Sequence, residues 1–408
     1  MLEALERGND KRKWHTLADK VWSPKTLDAA LQAVVSNRGA PGIDGQTTRM
    51  VAARATGEVA EVHRLLREGR YEPKAVKRVW IDKAGSGEKR PLGLPTVRDR
   101  IVQKALHIVL EPIFERDFAE HSYGFRPGRN ARQAVERVET LLTEGRHWVV
   151  DADIKGYFDN IPHDKLMERV GGKIADSSAL GLIEKFLKQG VMESGKDWQP
   201  TPGGTPQGAV LSPLLANIYL DPLDHQMAEA GRQMIRYADD FVILCGSREE
   251  AEAALEAVRH WMEKAGLSLH PGKTRIVDAR ERGGFEFLGW HFERGWKWPR
   301  EKSQTKFKEA IRAKTRRSNG KSMEAIIADV NRTVRGWGNY FQGGVANVPH
   351  KLEAWLRMRL RSVLRKRDKR KGRGRGRDHN RYPNAWFAER GLKSLKSITH
   401  RTAESPAT

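Results

Sequence analysis

The sequence predicts an α+β fold with an all-helical region toward its carboxyl-terminal end. Short apolar runs of strand length alternate with longer stretches of helical period up to about residue 297. From about Trp298 onward only helical periods occur, so a domain boundary is expected near residue 297. A chain of 408 residues is long enough for two or three domains with a sizeable core.

The charge balance predicts a nucleic-acid partner. Lysine and arginine number 74 against 52 aspartates and glutamates, which gives a net charge of +22 and the electrostatic footprint expected of a nucleic-acid-binding protein. An anionic membrane surface is the competing partner, but the longest apolar runs are far shorter than the roughly 20 residues of a membrane span. The start of the chain lacks the apolar core of a secretory signal. The single cysteine, Cys245, excludes internal disulfides and a cysteine zinc site, and it fits a reducing, cytosolic setting.

Helices are predicted before the boundary where apolar residues recur at three- and four-residue spacings. They cover residues 23–37, 59–66, 99–118, 131–142, 212–221 and 254–262. Gly145 and Gly266 close the fourth and the sixth, as glycine does where a helix ends. Pro213 lies near the first turn of the fifth, where proline is tolerated.

Strands are predicted where short apolar runs are bounded by turn residues. They cover residues 79–81, 91–95, 147–154, 234–235, 241–244 and 285–290. The first two flank a basic Gly/Ser loop at residues 83–90. Mobile cationic side chains and exposed amides favour anions, so Lys83 and Arg90 are candidates to lie over a triphosphate. An ordinary solvated hairpin is the alternative.

The stretch Tyr237-Ala238-Asp239-Asp240 is predicted to be the tight turn of a hairpin between two short strands. Two adjacent carboxylates at a rigid edge repel each other unless a cation lies between them. Mg²⁺ takes oxygen ligands and usually binds one or two carboxylates plus substrate phosphates. The turn is therefore a candidate half of a metal site for phosphoryl chemistry. A solvated Asp-Asp turn is the alternative.

The strand over residues 147–154 supplies a partner for this turn. By alternation Asp151 and Asp153 face the same way near its carboxyl-terminal tip. If the strands are neighbours, Asp153 completes a site with Asp239 and Asp240. Two Mg²⁺ ions about 3.5–4 Å apart could then stabilise an attacking 3′-oxygen and a leaving pyrophosphate oxygen. Asp153 and Asp239 are expected to bridge both ions, and no covalent nucleophile is required.

The helices predicted after the boundary carry basic residues on the faces opposite their apolar ones. Their apolar positions include residues 307 and 311, 326–334, and 352–363. The Lys/Arg/Gly run at residues 365–377 is either a solvated, disordered tail or an arm that binds nucleic acid, and the charge of the chain favours the arm.

The order of these motifs resembles that of the reverse transcriptases encoded by bacterial group II introns. The resemblance runs from about residue 34 to residue 341, and more loosely to residue 395. Seven short blocks in family order are far more specific than any one of them. The blocks are residues 39–45, Arg90-Pro91-Leu92-Gly93-Leu94-Pro95, Ser122-Tyr123-Gly124-Phe125-Arg126-Pro127-Gly128, Asp153-Ile154-Lys155-Gly156-Tyr157-Phe158, Thr205-Pro206-Gln207-Gly208, Leu211-Ser212-Pro213 and Tyr237-Ala238-Asp239-Asp240.

The resemblance implies a right-hand polymerase. Its fingers and palm would be an antiparallel sheet packed on helices, and its thumb, or maturase domain, would be all helical. Applied to this chain, it predicts an amino-terminal extension and fingers over residues 1–100 and a palm with the remaining fingers segments over 101–297. A helical thumb or maturase domain over 298–364 and a basic tail over 365–408 would follow.

The resemblance also implies roles for the residues of the site. Asp153, Asp239 and Asp240 would be the catalytic residues and would hold two Mg²⁺ ions, Asp240 as the weaker ligand. Alternation by itself does not separate Asp151 from Asp153, whereas the spacing of the family block to Phe158 selects Asp153.

The same resemblance assigns the nucleotide pocket. Phe158 would stack under the incoming sugar and clash with a 2′-hydroxyl, which favours dNTPs over rNTPs. Gln207 would line the pocket, and Lys273 could protonate the leaving pyrophosphate.

Residues 330–341 resemble the maturase region of these proteins, the part of the thumb that grips intron RNA. Arginine binds phosphates and aromatic rings stack on unpaired bases, so Arg332, Arg335, Trp337 and Tyr340 are candidate RNA-binding residues. For the two aromatic residues the alternative is packing in the core of the thumb.

The function implied is that of an RNA-directed DNA polymerase, a nucleotidyltransferase that also binds its group II intron RNA to assist splicing and mobility. Its partners would be that RNA, an RNA template, a DNA primer or target, and dNTPs, in the bacterial cytoplasm at the nucleoid. One alternative is a splicing cofactor with incidental polymerase activity. Another is a host-adapted reverse transcriptase in defence, against which the maturase-like block argues.

Many relatives carry a carboxyl-terminal HNH endonuclease that contains cysteine pairs. With Cys245 as its single cysteine, this sequence is not expected to contain that zinc-bound module. Priming from an existing DNA end or a replication fork is therefore expected, instead of a nick made by the protein itself.

Overall fold

The computed structural model describes residues 13–82, 89–193, 197–199, 203–374 and 376–400, and it describes only the backbone of Arg90, Asp197 and Trp198. The described residues form two compact units, one that runs to Ile276 and one that begins at Val277. The boundary predicted near residue 297 therefore lies inside the second unit. The reason is a small sheet, residues 285–299, which clusters with the helices that follow it.

The first unit is rich in helices. They are α1 (Ala18–Val21), α2 (Pro24–Ser36), α3 (Thr48–Ala52), α4 (Ala55–Arg67), α5 (Val97–Glu115), α6 (Ala131–Thr143), α7 (Tyr157–Asn160), α8 (His163–Lys173), α9 (Ser177–Leu187), α10 (Ser212–Glu229) and α11 (Arg248–Lys264). The helices predicted in this region are confirmed. α10 continues through Pro222 beyond its predicted end. α8 and α9 are not among the predicted helices.

The strands that precede residue 279 form two four-stranded sheets. They are β1 (Val76–Asp82), β2 (Lys89–Leu94), β3 (Trp148–Asp153), β4 (Val191–Glu193), β5 (Asp197–Gln199), β6 (Gln233–Tyr237), β7 (Asp240–Cys245) and β8 (Arg275–Asp278). One sheet has the order β2-β1-β4-β5, and the other has the order β6-β7-β3-β8. The predicted hairpin of β1 and β2 is confirmed as an antiparallel pair.

The sheet β6-β7-β3-β8 is the framework of the candidate site. β7 pairs with β6 on one side and with β3 on the other, in both cases antiparallel. Phe241 and Ile243 face the main core together with Val150 and Ala152. A strand buried on both faces reads as a continuous apolar run, as residues 241–245 do. Helices α10 and α11 pack on this sheet, and α6 contacts β6 and β7.

The second unit begins with a three-stranded antiparallel sheet. Its strands are β9 (Phe285–Phe287), β10 (Trp290–Glu293) and β11 (Trp296–Pro299), in the order β11-β10-β9. The single strand predicted over residues 285–290 is therefore wrong, since Leu288 and Gly289 form a turn between two strands. Their φ angles, +46° and +87°, are those of a primed two-residue hairpin turn.

Helices make up the remainder of the second unit. They are α12 (Glu301–Lys314), α13 (Met323–Tyr340), α14 (Asn347–Arg367), α15 (Arg377–Arg381), α16 (Asn384–Glu389) and α17 (Leu395–Thr399). α12, α13, α14 and α17 bury a common apolar cluster. Although α14 is 21 residues long, the described part of the chain holds no helix whose length and apolarity would suffice to cross a membrane.

The segment predicted as a basic tail from residue 365 is folded over its described part. Phe387 and Leu395 are fully buried in the apolar cluster of the second unit. Arg365 pairs with the buried carboxylate of Asp378 at 2.7 Å, and the backbone N–H of Gly374 donates to the Ser362 hydroxyl at 3.1 Å. The run of basic residues therefore folds back on α14, because buried apolar and polar partners follow it in the sequence.

Candidate active site

The turn that carries the paired aspartates joins β6 to β7 through two residues. Tyr237 faces Asp240 across the hairpin, and Ala238 and Asp239 make the turn. Ala238 has a φ of +60°, in the left-handed region that two-residue hairpin turns require at one or both central positions. For a residue with a Cβ this conformation costs roughly 1–2 kcal/mol. The surrounding structure must therefore hold the turn in place.

The neighbouring strand brings a third carboxylate to this turn. In the β3–β7 ladder Asp153 lies directly opposite Asp240. Directly opposed residues project to the same face, with their Cβ atoms about 4.5–5.5 Å apart. Asp151 lies on that face two residues earlier, where Arg275 Nε donates to its carboxylate at 3.2 Å. The predicted proximity of Asp153 to the Tyr237–Asp240 turn is thus observed.

Lys273 also reaches this cluster. Its Nζ lies 2.5 Å from Asp153 Oδ2, and the side chains of Lys273 and Asp153 are 55% and 33% exposed. The backbone positions it, because the His270 N–H donates to the Asp153 carbonyl at 2.7 Å and the Lys273 N–H donates to the His270 carbonyl at 3.1 Å. An ammonium group beside facing carboxylates reduces their mutual repulsion.

The donor set of the site matches the needs of Mg²⁺. Asp153, Asp239 and Asp240 are half-buried and supply hard oxygen ligands. Among the described residues no group of three or more His, Cys, Asp or Glu side chains is arranged to enclose a metal ion. Mg²⁺ in phosphoryl-transfer sites usually takes one or two carboxylates, and substrate phosphates and water complete its shell. The residues present therefore fit an ion that binds together with its substrate.

The Ala238–Asp239 turn packs closely against the loop before α6. A Cβ on Gly124 would lie 2.3 Å from the backbone N of Ala238, so only glycine permits this approach. The Tyr123 N–H donates to the Arg236 carbonyl at 2.8 Å, and the Arg236 N–H donates to the His121 carbonyl at 3.0 Å. The loop is therefore fastened to β6 beside the turn.

Arg236, the residue before Tyr237, is fully buried and is paired with Asp224 of α10. Its Nε donates to Asp224 Oδ1 at 2.8 Å, and its Nη2 donates to Asp224 Oδ2 at 2.5 Å. Its Nη1 donates to Asn217 Oδ1 at 3.0 Å and to the Ala238 carbonyl at 2.9 Å. Burial lowers the pKa of Arg236, but the charge and hydrogen bonds of Asp224 outweigh this, so its pKa is raised and it stays charged.

Phe158 lies in the short helix α7, just beyond the tip of β3. Its half-buried ring meets the ring of Tyr157 edge-on at 5.5 Å and that of Phe125 at 6.5 Å between centroids. Phe125 is 51% exposed and has a φ of +58°. The ring of Phe158 therefore lies beside that of Phe125, whose neighbour Gly124 packs against Ala238.

The glycine-rich block before α10 packs against α7. The Thr205 N–H donates to the Phe158 carbonyl at 2.6 Å, and a Cβ on Gly204 would lie 2.7 Å from that same carbonyl oxygen. This contact brings Gln207 near, and its Nε2 donates to Asp159 Oδ2 at 3.3 Å. Gln207 therefore lies beside the segment that carries Phe158, and it lines a cavity of about 550 Å³.

The basic hairpin loop lies for the most part outside the described residues. Lys83 is not described, and Arg90 is described only as a backbone position in β2, opposite Ile81. Their contact with a triphosphate stays a prediction.

Arg126, within the Ser122–Gly128 block, is buried and forms hydrogen bonds inside the first unit. Its guanidinium is buried, and its Nε donates to both carboxylate oxygens of Glu115, at 2.9 and 3.0 Å. It also donates to the carbonyls of Phe118, Ala119 and Ser122 at 2.6–3.4 Å. The last carbonyls of a helix lack intrahelical partners, so Arg126 supplies donors just past the end of α5.

The two arginines predicted to bind RNA lie on the surface of α13. Arg332 and Arg335 are exposed, and Arg332 pairs with Asp329 one turn earlier. Both side chains are thus accessible to a phosphate.

The two aromatic residues of the same segment are packed within the second unit. The ring of Trp337 contacts those of Phe307 and Phe341, with centroids 5.2 and 4.5 Å apart. Its indole nitrogen is buried without a hydrogen-bond partner. The Tyr340 hydroxyl donates to the Leu288 carbonyl at 2.6 Å. These contacts support the alternative in which both aromatics belong to the core.

The sequence analysis predicted no role for three residues that lie around the turn: Arg236, Asp224 and Asn217. One signal was present in the sequence, since Arg236 follows the apolar pair Met234-Ile235 and precedes Asp239 by three residues. A buried charge is seldom left without a partner. Which residues of α10 provide that partner depends on the tertiary packing.

Two family models match the chain. The model of the reverse transcriptase (RNA-dependent DNA polymerase) family matches residues 81–292, which include all three aspartates, Phe158, Gln207 and Lys273. The model of the maturase-specific domain of group II introns matches residues 304–382, which include α13.

Curated relatives agree with these matches. Protein YkfC of Escherichia coli K12 is 35% identical over 311 residues, which cover 66% of this chain and 80% of that protein. The group II intron-encoded protein LtrA of Lactococcus lactis subsp. cremoris is 41% identical over 207 residues, which cover 49% of this chain and 33% of LtrA. Among solved structures, a chain of a partial Cas6-RT-Cas1–Cas2 complex is 27% identical and covers 61% of this chain and 42% of its own length. Its TM-score, 0.38, is too low to support an argument about the fold.

Proposed function

Because the chain belongs to the reverse transcriptase family and contains the maturase-specific domain of group II introns, we propose that it is an RNA-directed DNA polymerase that also binds an intron RNA. Its substrates are a DNA primer, an RNA template and dNTPs. Assistance to the splicing and mobility of that intron is the second part of the proposal.

The observation that carries the polymerase assignment is the register of β3 against β7. It sets Asp153 opposite Asp240, with Asp239 in the adjoining turn. These three residues would hold Mg²⁺, which when bound stabilises the attacking 3′-oxygen and the leaving pyrophosphate oxygen. Since positioning and charge supply most of the catalysis of phosphoryl transfer, the protein needs to provide no covalent nucleophile.

The remaining residues of the site orient the substrate and handle a proton. Phe158 packs against the sugar of the incoming nucleotide, and Gln207 lines its pocket. Lys273, which is half-exposed beside Asp153, donates a proton from Nζ to the leaving pyrophosphate. Lys83 and Arg90 contact the triphosphate.

The maturase part of the proposal is supported by the match to residues 304–382 and by the exposed arginines of α13. Arg332 and Arg335 present charge to RNA phosphates on a chain whose net charge is +22. Trp337 and Tyr340 contribute to this surface by fixing α13 within the unit.

The test uses the full chain in two assays. Extension of a DNA primer on an RNA template with dNTPs and Mg²⁺ is expected, and splicing of the intron RNA that flanks the reading frame is expected to be stimulated at low Mg²⁺. Absence of extension with splicing retained would favour the alternative of a splicing cofactor. Absence of both activities in the folded protein would contradict the proposal.

Replacement of Phe158 by alanine is expected to raise the use of rNTPs relative to dNTPs. Removal of the ring takes away the group that clashes with a 2′-hydroxyl, and the ratio of kcat/KM values should change by at least about tenfold. Single-nucleotide incorporation with matched rNTP and dNTP substrates measures the change. Phe158→Tyr keeps the ring and serves as the control. If Phe158→Ala discriminates as the unaltered protein does, the sugar-checking role is wrong.

The affinity for structured RNA is expected to fall steeply with salt. Each neutralised phosphate releases counterions, so a protein with 6–10 phosphate contacts loses about 10³–10⁵ in affinity between 50 and 200 mM salt. Arg335→Ala should weaken binding and reduce the log–log salt slope by about 1. Filter binding across a salt series measures both. Arg361, which is buried in the same unit, provides the contrast, because Arg361→Lys should affect stability and leave the slope unchanged.

A further inference from the structure

A buried polar network joins α10, the loop before α6 and the Ala238–Asp239 turn, and the proposed mechanism assigns no role to its members. Arg236 and Asn217 are each 1% exposed, and Asp224 is 6% exposed. None of the three can touch a substrate at that depth. Buried polar groups of this kind are costly unless each is fully hydrogen-bonded, so their arrangement is closely determined.

Asn217 is the joint of the network. Its Oδ1 accepts a hydrogen bond from Arg236 Nη1 at 3.0 Å, and its Nδ2 donates to the Gly124 carbonyl at 2.8 Å. The two ends of the amide are thus used in two directions, which fixes its orientation. One side chain therefore connects the loop at Gly124 to the strand at Arg236.

Arg236 carries the connection to the turn. The Nη1 that donates to Asn217 also donates to the Ala238 carbonyl at 2.9 Å. On its other side the Ala238 peptide meets Gly124, where there is no room for a Cβ. Ala238 is thus packed closely at its N and hydrogen-bonded at its O, the oxygen of the Ala238–Asp239 peptide, although its φ of +60° is unfavourable for alanine. Asp239, the next residue, takes its direction from that peptide.

We propose that Arg236 and Asn217 are positioning residues, which hold the Ala238–Asp239 turn in the conformation that Asp239 needs to bind a divalent cation. Asp224 keeps Arg236 in place by pairing with its two remaining nitrogens. The inference rests on the proposed function, in which Asp239 is a metal ligand. Residues that orient metal ligands typically change metal affinity by 10- to 100-fold when they are replaced.

A purely structural role is the competing explanation, since the loss of any buried ion pair destabilises a fold. The first unit offers a matched control. Glu58 is 3% exposed and accepts from Arg98 Nε and Nη2 at 2.5 and 3.0 Å, and it pairs helices α4 and α5. The variant Glu58→Gln should therefore lower the free energy of unfolding and leave the Ala238–Asp239 turn unaffected.

The experiment measures the binding of Mn²⁺ to the full chain by the EPR signal of the free ion, and primer extension as a function of Mg²⁺ concentration. Asn217→Ala and Arg236→Lys are expected to weaken Mn²⁺ binding and to raise the Mg²⁺ midpoint by roughly 10- to 100-fold. Glu58→Gln is expected to leave both unchanged at a temperature where all variants are folded. If Arg236→Lys fails to fold, Asn217→Asp replaces it, since the carboxylate keeps the acceptor for Arg236 and loses the donor to Gly124.

The outcomes separate the inference from the function on which it rests. If Asp239→Ala abolishes Mn²⁺ binding while Asn217→Ala behaves as Glu58→Gln does, the positioning role is wrong and the metal site is kept. If Asp239→Ala leaves both Mn²⁺ binding and extension intact, the proposed function fails first. The expected result is that the Asn217 and Arg236 variants bind metal more weakly and Glu58→Gln does not. All of these variants should have equal unfolding temperatures.

Discussion

Replacement of Asp239 by alanine is expected to reduce DNA synthesis on an RNA template by at least about 10³-fold while the protein stays folded. The turn is otherwise supported by its close packing against Gly124 and by the Arg236 side chain, which donates to the Ala238 carbonyl, and the substitution leaves both contacts in place. In the proposed mechanism the substitution removes one of the three carboxylates that would hold Mg²⁺. Single-turnover extension of a labelled DNA primer measures the rate, and thermal unfolding checks that the variant is folded.

The strand β3 provides the matched comparison for this prediction. Asp151 and Asp153 lie on one face of the same strand, two residues apart, and each has a basic neighbour at 3.2 or 2.5 Å. Asp153→Asn is expected to be inactive, whereas Asp151→Asn should retain most activity, because only Asp153 lies opposite Asp240. An inactive Asp151→Asn variant together with an active Asp153→Asn variant would reverse the assignment.

Replacement of Arg126 by leucine is expected to lower the free energy of unfolding of the first unit by about 3–5 kcal/mol. The substitution leaves the Glu115 carboxylate without its bidentate partner and removes the donors from the carbonyls of Phe118, Ala119 and Ser122. Urea unfolding followed by circular dichroism and by tryptophan fluorescence measures the change, and the two probes show whether the two units unfold together.

An exposed ion pair of the same unit is the control for this effect. Arg64 donates to Glu68 at 2.8 Å on the surface of α4, with both side chains well exposed. Exposed pairs contribute about 0–1 kcal/mol, so Arg64→Ala should change the unfolding free energy by no more than that. If Arg126→Leu and Arg64→Ala lower the free energy of unfolding equally, the burial of Arg126 does not increase its contribution to stability.

The elements that position the carboxylates could be predicted because local patterns determine them. Alternation of side chains along β3 sets Asp151 and Asp153 on one face, and the polar turn between two apolar runs predicts the β6–β7 hairpin. The resemblance to a known family then separated Asp153 from Asp151. Neither pattern contains the register between β3 and β7, which is a property of the folded sheet.

The buried arginines could not be assigned in this way, because a sequence does not show burial. Arg126 belongs to a loop with two arginines and two aromatics, and yet it is buried and donates to the carbonyl of Glu115, the last residue of α5. Arg236 was hidden for a related reason, since its partner Asp224 lies on a different element. Which residues complete such a buried cluster depends on how the elements pack in the folded protein.

In the second unit, two predictions made from amino-acid composition differ from the structure. The run at residues 365–377 has the charge of a solvated tail, but the apolar residues that fold it back, Phe387 and Leu395, follow later in the chain. Likewise the turn at Leu288 and Gly289 divides an apolar run whose composition is that of one strand. Apolar content predicts burial well, but it does not predict where a chain reverses.

The pairing of β7 between β6 and β3 has a consequence for how the protein matures. Asp153 and Asp240 lie far apart in the chain, and contacts between such distant segments form late, after the entropy of closing a long loop has been overcome. If β3 slipped by one residue against β7, Asp151 and Asp153 would face the opposite side of the sheet from Asp240. The proposed catalytic carboxylates therefore come together only when these late contacts are correctly made, and we expect a misaligned chain to be inactive as well as unstable.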